Sequence, residues 1–162
     1  MSAVVLETNV LAVANETATQ AGPGCVLACL AALDSAKESR VVVVDSAGRI
    51  FEEYSRHATR AGQPGAGDAF FKWLWDHQGY SDRCEMVDLT PIGQGQDEFA
   101  EFPRDPSLKG FDPADKKFVA VAIASPRRPQ VVNAVDTDWW HYRAALARNG
   151  VTVQFLCSEL MR

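Results

Sequence analysis

The run Val41-Val42-Val43-Val44 is apolar on both faces of any strand it forms. Such a strand needs cover above and below, the condition met inside a parallel sheet flanked by helices. Further short apolar runs, Val4–Leu6, Cys84–Leu89, Val131–Val135 and Val151–Leu156, read the same way. Between them, apolar residues fall at helical spacing over Cys25–Ala36, over the aromatic-rich Asp68–His77, over Pro113–Ala124 and over Asp138–Arg148, which Asn149-Gly150 closes with a C-cap signal. This alternation predicts a three-layer α/β/α domain around a central, mainly parallel five-stranded sheet. At 162 residues the chain is expected to make a single domain over 1–162 with a full core, and it shows no internal repeat. Two stretches are expected as loops, Ala61–Gly67 and Thr90–Gly110, and the second is long enough to be functional or partly helical.

No apolar run approaches the ~20 residues that cross a bilayer. Met1–Leu6 lacks the basic and apolar regions of a signal peptide and reads as a first strand. The expected location is cytoplasmic, with no membrane partner. Cys25, Cys29, Cys84 and Cys157 are too few and too scattered for a disulfide scaffold, so buried reduced thiols are expected. Cys25 and Cys29 stand one helical turn apart, and a zinc site there needs two more ligands that the spacing does not supply. The net charge of −5 argues against broad electrostatic adhesion to a polyanion. It leaves room for a nuclease, because bound cations offset clustered carboxylates.

The position of the 21 acidic residues therefore decides the reading. Ligands of a parallel α/β sheet bind beyond the carboxyl ends of its strands, where the following helices also begin. Glu7 ends the first strand before Thr8-Asn9, a turn or N-cap pair. Glu52 and Glu53 follow Val41–Asp45 and a Ser-Ala-Gly turn, in what should be a helix opening. Asp112-Pro113-Ala114-Asp115 starts another helix, with Asp112 as its cap. Asp136-Thr137-Asp138 ends the fourth strand and opens the Trp139-Trp140 helix. Each acid alone is explained by a cap or a solvated face. Together they bring carboxylates from separate segments to one sheet edge, where like charges repel unless cations neutralise them. An all-oxygen ligand set suits Mg²⁺ or Mn²⁺ rather than zinc.

Four segments in order, Val-Leu-Glu-Thr-Asn-Val-Leu (5–11), Ile-Phe-Glu-Glu-Tyr (50–54), Phe-Asp-Pro-Ala-Asp-Lys-Lys-Phe-Val-Ala-Val-Ala (111–122) and Asn-Ala-Val-Asp-Thr-Asp-Trp (133–139), resemble the PIN-domain family. The resemblance spans nearly the whole chain and implies a flavodoxin-like or Rossmann-like sheet. It implies a metal site built from Glu7, Glu53 (or its neighbour Glu52), Asp115 and Asp138, with Asp136 as an additional ligand. Thr8 or Asn9 would brace the first acid. The implied cofactor is Mg²⁺ or Mn²⁺, and the implied activity is metal-dependent cleavage of single-stranded RNA by activated water, as in toxin or defence nucleases paired with an antitoxin. Where the family carries aspartate at the end of the first strand, this chain has Glu7. That departure supports a second reading, a catalytically weak PIN-like module that binds RNA or a protein. A metal phosphohydrolase on a similar sheet ranks behind both, since the Asp-x-Asp start of an aspartyl-phosphate enzyme is missing.

Other features admit two uses each. Arg127-Arg128 either contacts phosphate or forms a solvated loop. Lys116 and Lys117 either contact substrate or pair with nearby acids. Trp139, Trp140 and Tyr142 offer stacking faces for bases, or pack on the sheet. The segment Phe70–Trp75 serves either a homodimer or the core. His57, His77 and His141 show no triad or zinc spacing.

Overall fold

The computed structural model describes residues 1–95 and 97–162; Gln96, inside the long segment expected as a loop, lies outside them. Five strands form the sheet: β1 (Ser2–Leu6), β2 (Arg40–Asp45), β3 (Cys84–Val87), β4 (Gln130–Asn133) and β5 (Val153–Phe155). All neighbours run parallel, in the order β3-β2-β1-β4-β5, so the sheet is wholly rather than mainly parallel. Val41 to Val44 are each at most 1% exposed, as a strand covered on both faces requires.

Seven helices flank the sheet in the described residues: α1 (Thr8–Ala14), α2 (Pro23–Ser39), α3 (Arg49–Ser55), α4 (Ala66–Asp76), α5 (Lys116–Ala124), α6 (Thr137–His141) and α7 (Arg143–Arg148). Helix α5 crosses β2, β1 and β4, while α1, α2 and α4 pack on one another, which gives the three layers. Helix α1 escapes a periodicity argument because all but one of its residues are buried, leaving no polar stripe to mark it. The expected helix over 138–148 is two, parted at Tyr142, and the expected helix over 113–124 starts with a 3₁₀ turn, Pro113–Asp115. Asp112 caps that turn, accepting a hydrogen bond from the Ala114 N–H at 3.0 Å. In the long segment, Phe99, Phe102 and Leu108 are buried and Pro106–Leu108 forms a 3₁₀ turn. Phe70, Phe71 and Leu74 belong to the core, which accounts for most of the aromatic segment. No helix of the described residues is long and apolar enough to cross a membrane.

The expectation of four reduced thiols needs correction. Cys25, in the first turn of α2, is disulfide-bonded to Cys157, just past β5, across 132 residues of sequence. Spacing along the chain hides the pair, because only the fold sets the start of α2 beside the segment that leaves the last strand. Cys29 and Cys84 remain free and buried. Burial pushes both thiols up to about 12. Unfolding without reductant should therefore expose two titratable thiols, not four, in a thiol count. Reduction should lower stability by about 2–4 kcal/mol through the long loop it reopens, roughly 4–16 °C in Tm at this chain length. A count of four thiols would remove the disulfide from the account.

A candidate metal centre at the switch between β1 and β4

The strand order reverses direction between β1 and β4, and the carboxyl ends of two such strands bound a crevice. A cleft of about 580 Å³ opens there, lined by Glu7, Thr8, Asn9, Glu53, His57, Asp115 and Asp136, with Thr17, Ala18 and Gln20 forming a further wall. Each acid arrives by a different element. Glu7 leaves β1 and caps α1, accepting a hydrogen bond from the Asn9 N–H at 2.8 Å. It is buried, not a solvated turn acid. Gly48, at φ 82°, makes the left-handed turn between β2 and α3, and Glu53 then projects from α3. Asp115 closes the 3₁₀ turn ahead of α5, and Asp136 caps α6, accepting from the Asp138 N–H at 2.9 Å.

Asp138, the ligand that the family resemblance implied, is exposed and does not line the cleft, whereas Asp136, the additional ligand, does. Glu52 is likewise exposed and turned away, which settles the choice between the adjacent glutamates as to which faces the cleft. Asp45 and Asp68 are also buried acids, but each is consumed by local structure. Asp45 accepts from the N–H groups of Arg49 and Ile50, and Asp68 from those of Gly65 and Thr59.

The cleft acids resist ionisation. Burial, with the charges of Asp136 and Glu53, raises Glu7 to about 8 against the pull of the Asn9 N–H. Burial, then the charges of Glu7, Asp136 and Asp112, raises Asp115 to about 9, and Lys117 opposes them. Asp136 is also raised, first by burial. Asp115 Oδ2 and Thr8 Oγ1 are buried with no hydrogen-bond partner. An unpartnered buried oxygen among like charges is the environment a cation relieves.

The donors suit a hard cation, yet they do not form a closed cage. Among the described residues, the group of three potential ligands whose atoms all lie within 4.8 Å of one another is Cys25, Cys29 and Cys157, not the acids. Mg²⁺ keeps several waters and needs only one or two carboxylates directly, so an open acidic cleft meets its requirement where a dedicated cage is not needed.

Asn133, which carried no role in the sequence reading, joins the two strand ends. The Asn9 side chain donates to Asn133 Oδ1 at 2.8 Å and accepts from the Ala134 N–H at 2.8 Å, while Asn133 Nδ2 donates to the Asp136 carbonyl at 3.0 Å. Its one sequence signal is a polar residue that ends an apolar run three residues before Asp136, and the structure buries it fully. Asn133→Leu should cost about 1–3 kcal/mol by leaving Asn9 unsatisfied. Thermal melting checks this, with cleft function expected to fall as Glu7 and Asp136 lose registration; a Tm within 1 °C of the parent, a margin set by the roughly 2–4 °C per kcal/mol of a chain this size, would contradict it.

The remaining candidates fall elsewhere. Lys116 pairs with Glu98 at 2.7 Å and Lys117 with Glu53 at 2.9 Å. Arg127 pairs with Glu85 at 3.0 Å and precedes β4, at the sheet edge opposite the cleft, which removes it as a phosphate contact there. Trp139 is fully buried edge-on to Phe111, so it presents no stacking face. Trp140 carries Arg143 over its ring at 3.6 Å, and Tyr142 meets Phe111. His57, which showed no partner by spacing, is exposed on the cleft wall. Compared with family models, curated proteins and solved structures, the chain matches none.

Proposed function

We propose that this chain is a divalent-metal-dependent endonuclease acting on single-stranded RNA, with Glu7, Asp115 and Asp136 holding Mg²⁺ or Mn²⁺ and Glu53 completing the cleft. The observation that carries the reading is Asp115 Oδ2, buried and unpartnered where Glu7 and Asp136 converge at the switch point. The resemblance of four ordered segments to the PIN-domain family supports this substrate class and reaction. When bound, a divalent ion supplies positive charge against phosphate oxygens and makes water more acidic. The chain's own residues do the rest. Asn9 orients Glu7 through its N–H, the Asn9–Asn133 bridge sets the spacing of Glu7 and Asp136, and α5 delivers Asp115. The test is cleavage of a labelled single-stranded RNA with Mn²⁺, Mg²⁺ or EDTA. Cutting with either ion that EDTA stops is the expected result.

One observation favours a second reading. No three cleft acids bring their oxygens within 4.8 Å, and Glu53 is already paired with Lys117. A PIN-like module that binds RNA without cutting it fits that looseness. RNA retained in EDTA, with no cleavage under any ion and cleavage gained in Glu7→Asp, would select it over the nuclease.

A further inference from the structure

The four acids of the cleft are not equivalent. Glu7, Asp115 and Asp136 take part in no ion pair among the described residues, whereas Glu53 accepts from Lys117 Nζ at 2.9 Å and lies 3.9 Å from Arg56. Lys117 is unusual in its own right, a lysine only 8% exposed. Long lysine side chains ordinarily reach for water, and burial of the ammonium requires a partner. Here it has two: the Glu53 carboxylate and the Ala114 carbonyl, to which it also donates. The Ala114 carbonyl belongs to the 3₁₀ turn that delivers Asp115, so one piece of backbone fixes both the ammonium and the unpartnered carboxylate.

That division decides where divalent charge can go. An added cation is favoured where negative charge is uncompensated, which is the Glu7, Asp115 and Asp136 side. At Glu53 it would have to displace the ammonium and leave a buried lysine without its counter-ion, the costly half of breaking a buried pair. The groove on the far side of Glu53 is balanced, with Arg49, Arg56 and Lys117 set against Glu52, Glu53 and Asp97, so it leaves no acid there without a basic neighbour.

We infer that Lys117 is a fixed cation behind this cleft, paired with Glu53 where a second divalent ion would otherwise be held, so that the site takes a single divalent ion at Glu7, Asp115 and Asp136. Glu53 is then a positioning residue for Lys117 rather than a metal ligand. The inference rests on the metal-binding reading above and adds the number of ions and the separate role of Glu53.

Mn²⁺ titration of the full chain, followed by calorimetry and by the electron paramagnetic resonance of free and bound Mn²⁺, tests it without any turnover. The wild type should bind one ion per chain. Lys117→Met should bind two, with the loss of signal amplitude that neighbouring Mn²⁺ ions cause. The pair variant Glu53→Gln/Lys117→Met, which removes both charges together, should return to one ion with affinity within about threefold of wild type. Two ions in the wild type, one in a folded Lys117→Met, or a loss of about tenfold or more in the pair variant overturns the inference and leaves the metal site standing. No Mn²⁺ bound to the wild type overturns both. Should Lys117→Met fail to fold by circular dichroism, the wild-type count and the pair variant decide.

Discussion

Asp115→Asn should abolish metal-dependent cleavage and, in the same preparation, make the metal-free protein harder to melt. The two effects share one cause. Asp115 is buried beside Glu7 and Asp136, and its carboxyl is raised to about 9, so its charged form is disfavoured wherever no cation is present. Asparagine keeps the shape and removes that burden. The gain should be about 2 kcal/mol, less than the shift alone suggests because Glu7 and Asp136 take up protons in concert; at this length it corresponds to roughly 4–8 °C in Tm. Function should move the other way. Metal-derived stabilisation of a phosphodiester transition state is several kcal/mol, so loss of a direct ligand should reduce kcat/KM by on the order of 10³-fold. A stability gain with loss of function is the signature of a functional acid. Full cleavage by Asp115→Asn would sink the assignment, and a lower Tm would place Asp115 among the structural caps with Asp45 and Asp68.

The second large effect is on the pH dependence of stability. Glu7 rises from 4.5 to about 8, and Asp115 from 3.8 to about 9. Both are acids whose folded value lies above the unfolded one, so between roughly pH 4 and 9 the folded state holds more protons than the unfolded. Their contribution is fully present below the unfolded values and is lost as pH rises through the folded ones. The metal-free protein should therefore lose stability steadily from about pH 5 to about pH 9, at up to about 1.4 kcal/mol per pH unit for each group while it alone titrates. Most carboxylate-bearing domains gain stability over the lower part of that range, which makes the direction diagnostic. Mn²⁺ should reverse it. Ligands must be deprotonated to bind, so ion affinity and the Tm gain on adding Mn²⁺ should both increase with pH. Melting curves in EDTA and in Mn²⁺ between pH 5 and 9 check both halves. A metal-free Tm that is flat or rising over that window would show that the cleft acids are ionised without a cation.

These expectations depend on positions that the sequence displays unevenly. Glu7, Asp115 and Asp136 are visible as acids at a strand end, a helix start and a second strand end, because caps and strand termini leave local signals. The choice between Glu52 and Glu53, or between Asp136 and Asp138, is not local. Adjacent or alternate residues of one helix point in different directions, and only the packing of α3 and α6 decides which faces the cleft. Asp45 and Asp68 show the converse. Their chain positions are as suggestive as that of Glu7, yet backbone N–H groups absorb both.

By itself the sequence determined the class of fold. Four buried valines in a row and a regular exchange of strand and helix periods admit little besides a covered parallel sheet, since side-chain direction repeats every two residues in one element and every 3.6 in the other. It also determined that acids gather at one sheet edge. What only the tertiary structure decided are contacts between segments far apart in sequence: the Cys25–Cys157 disulfide, the Asn9–Asn133 bridge and the Lys117–Glu53 pair. They join residues 132, 124 and 64 positions apart. No periodic or capping signal extends that far, because local propensity acts within a turn or two of the chain, whereas these partners meet only after the sheet has assembled.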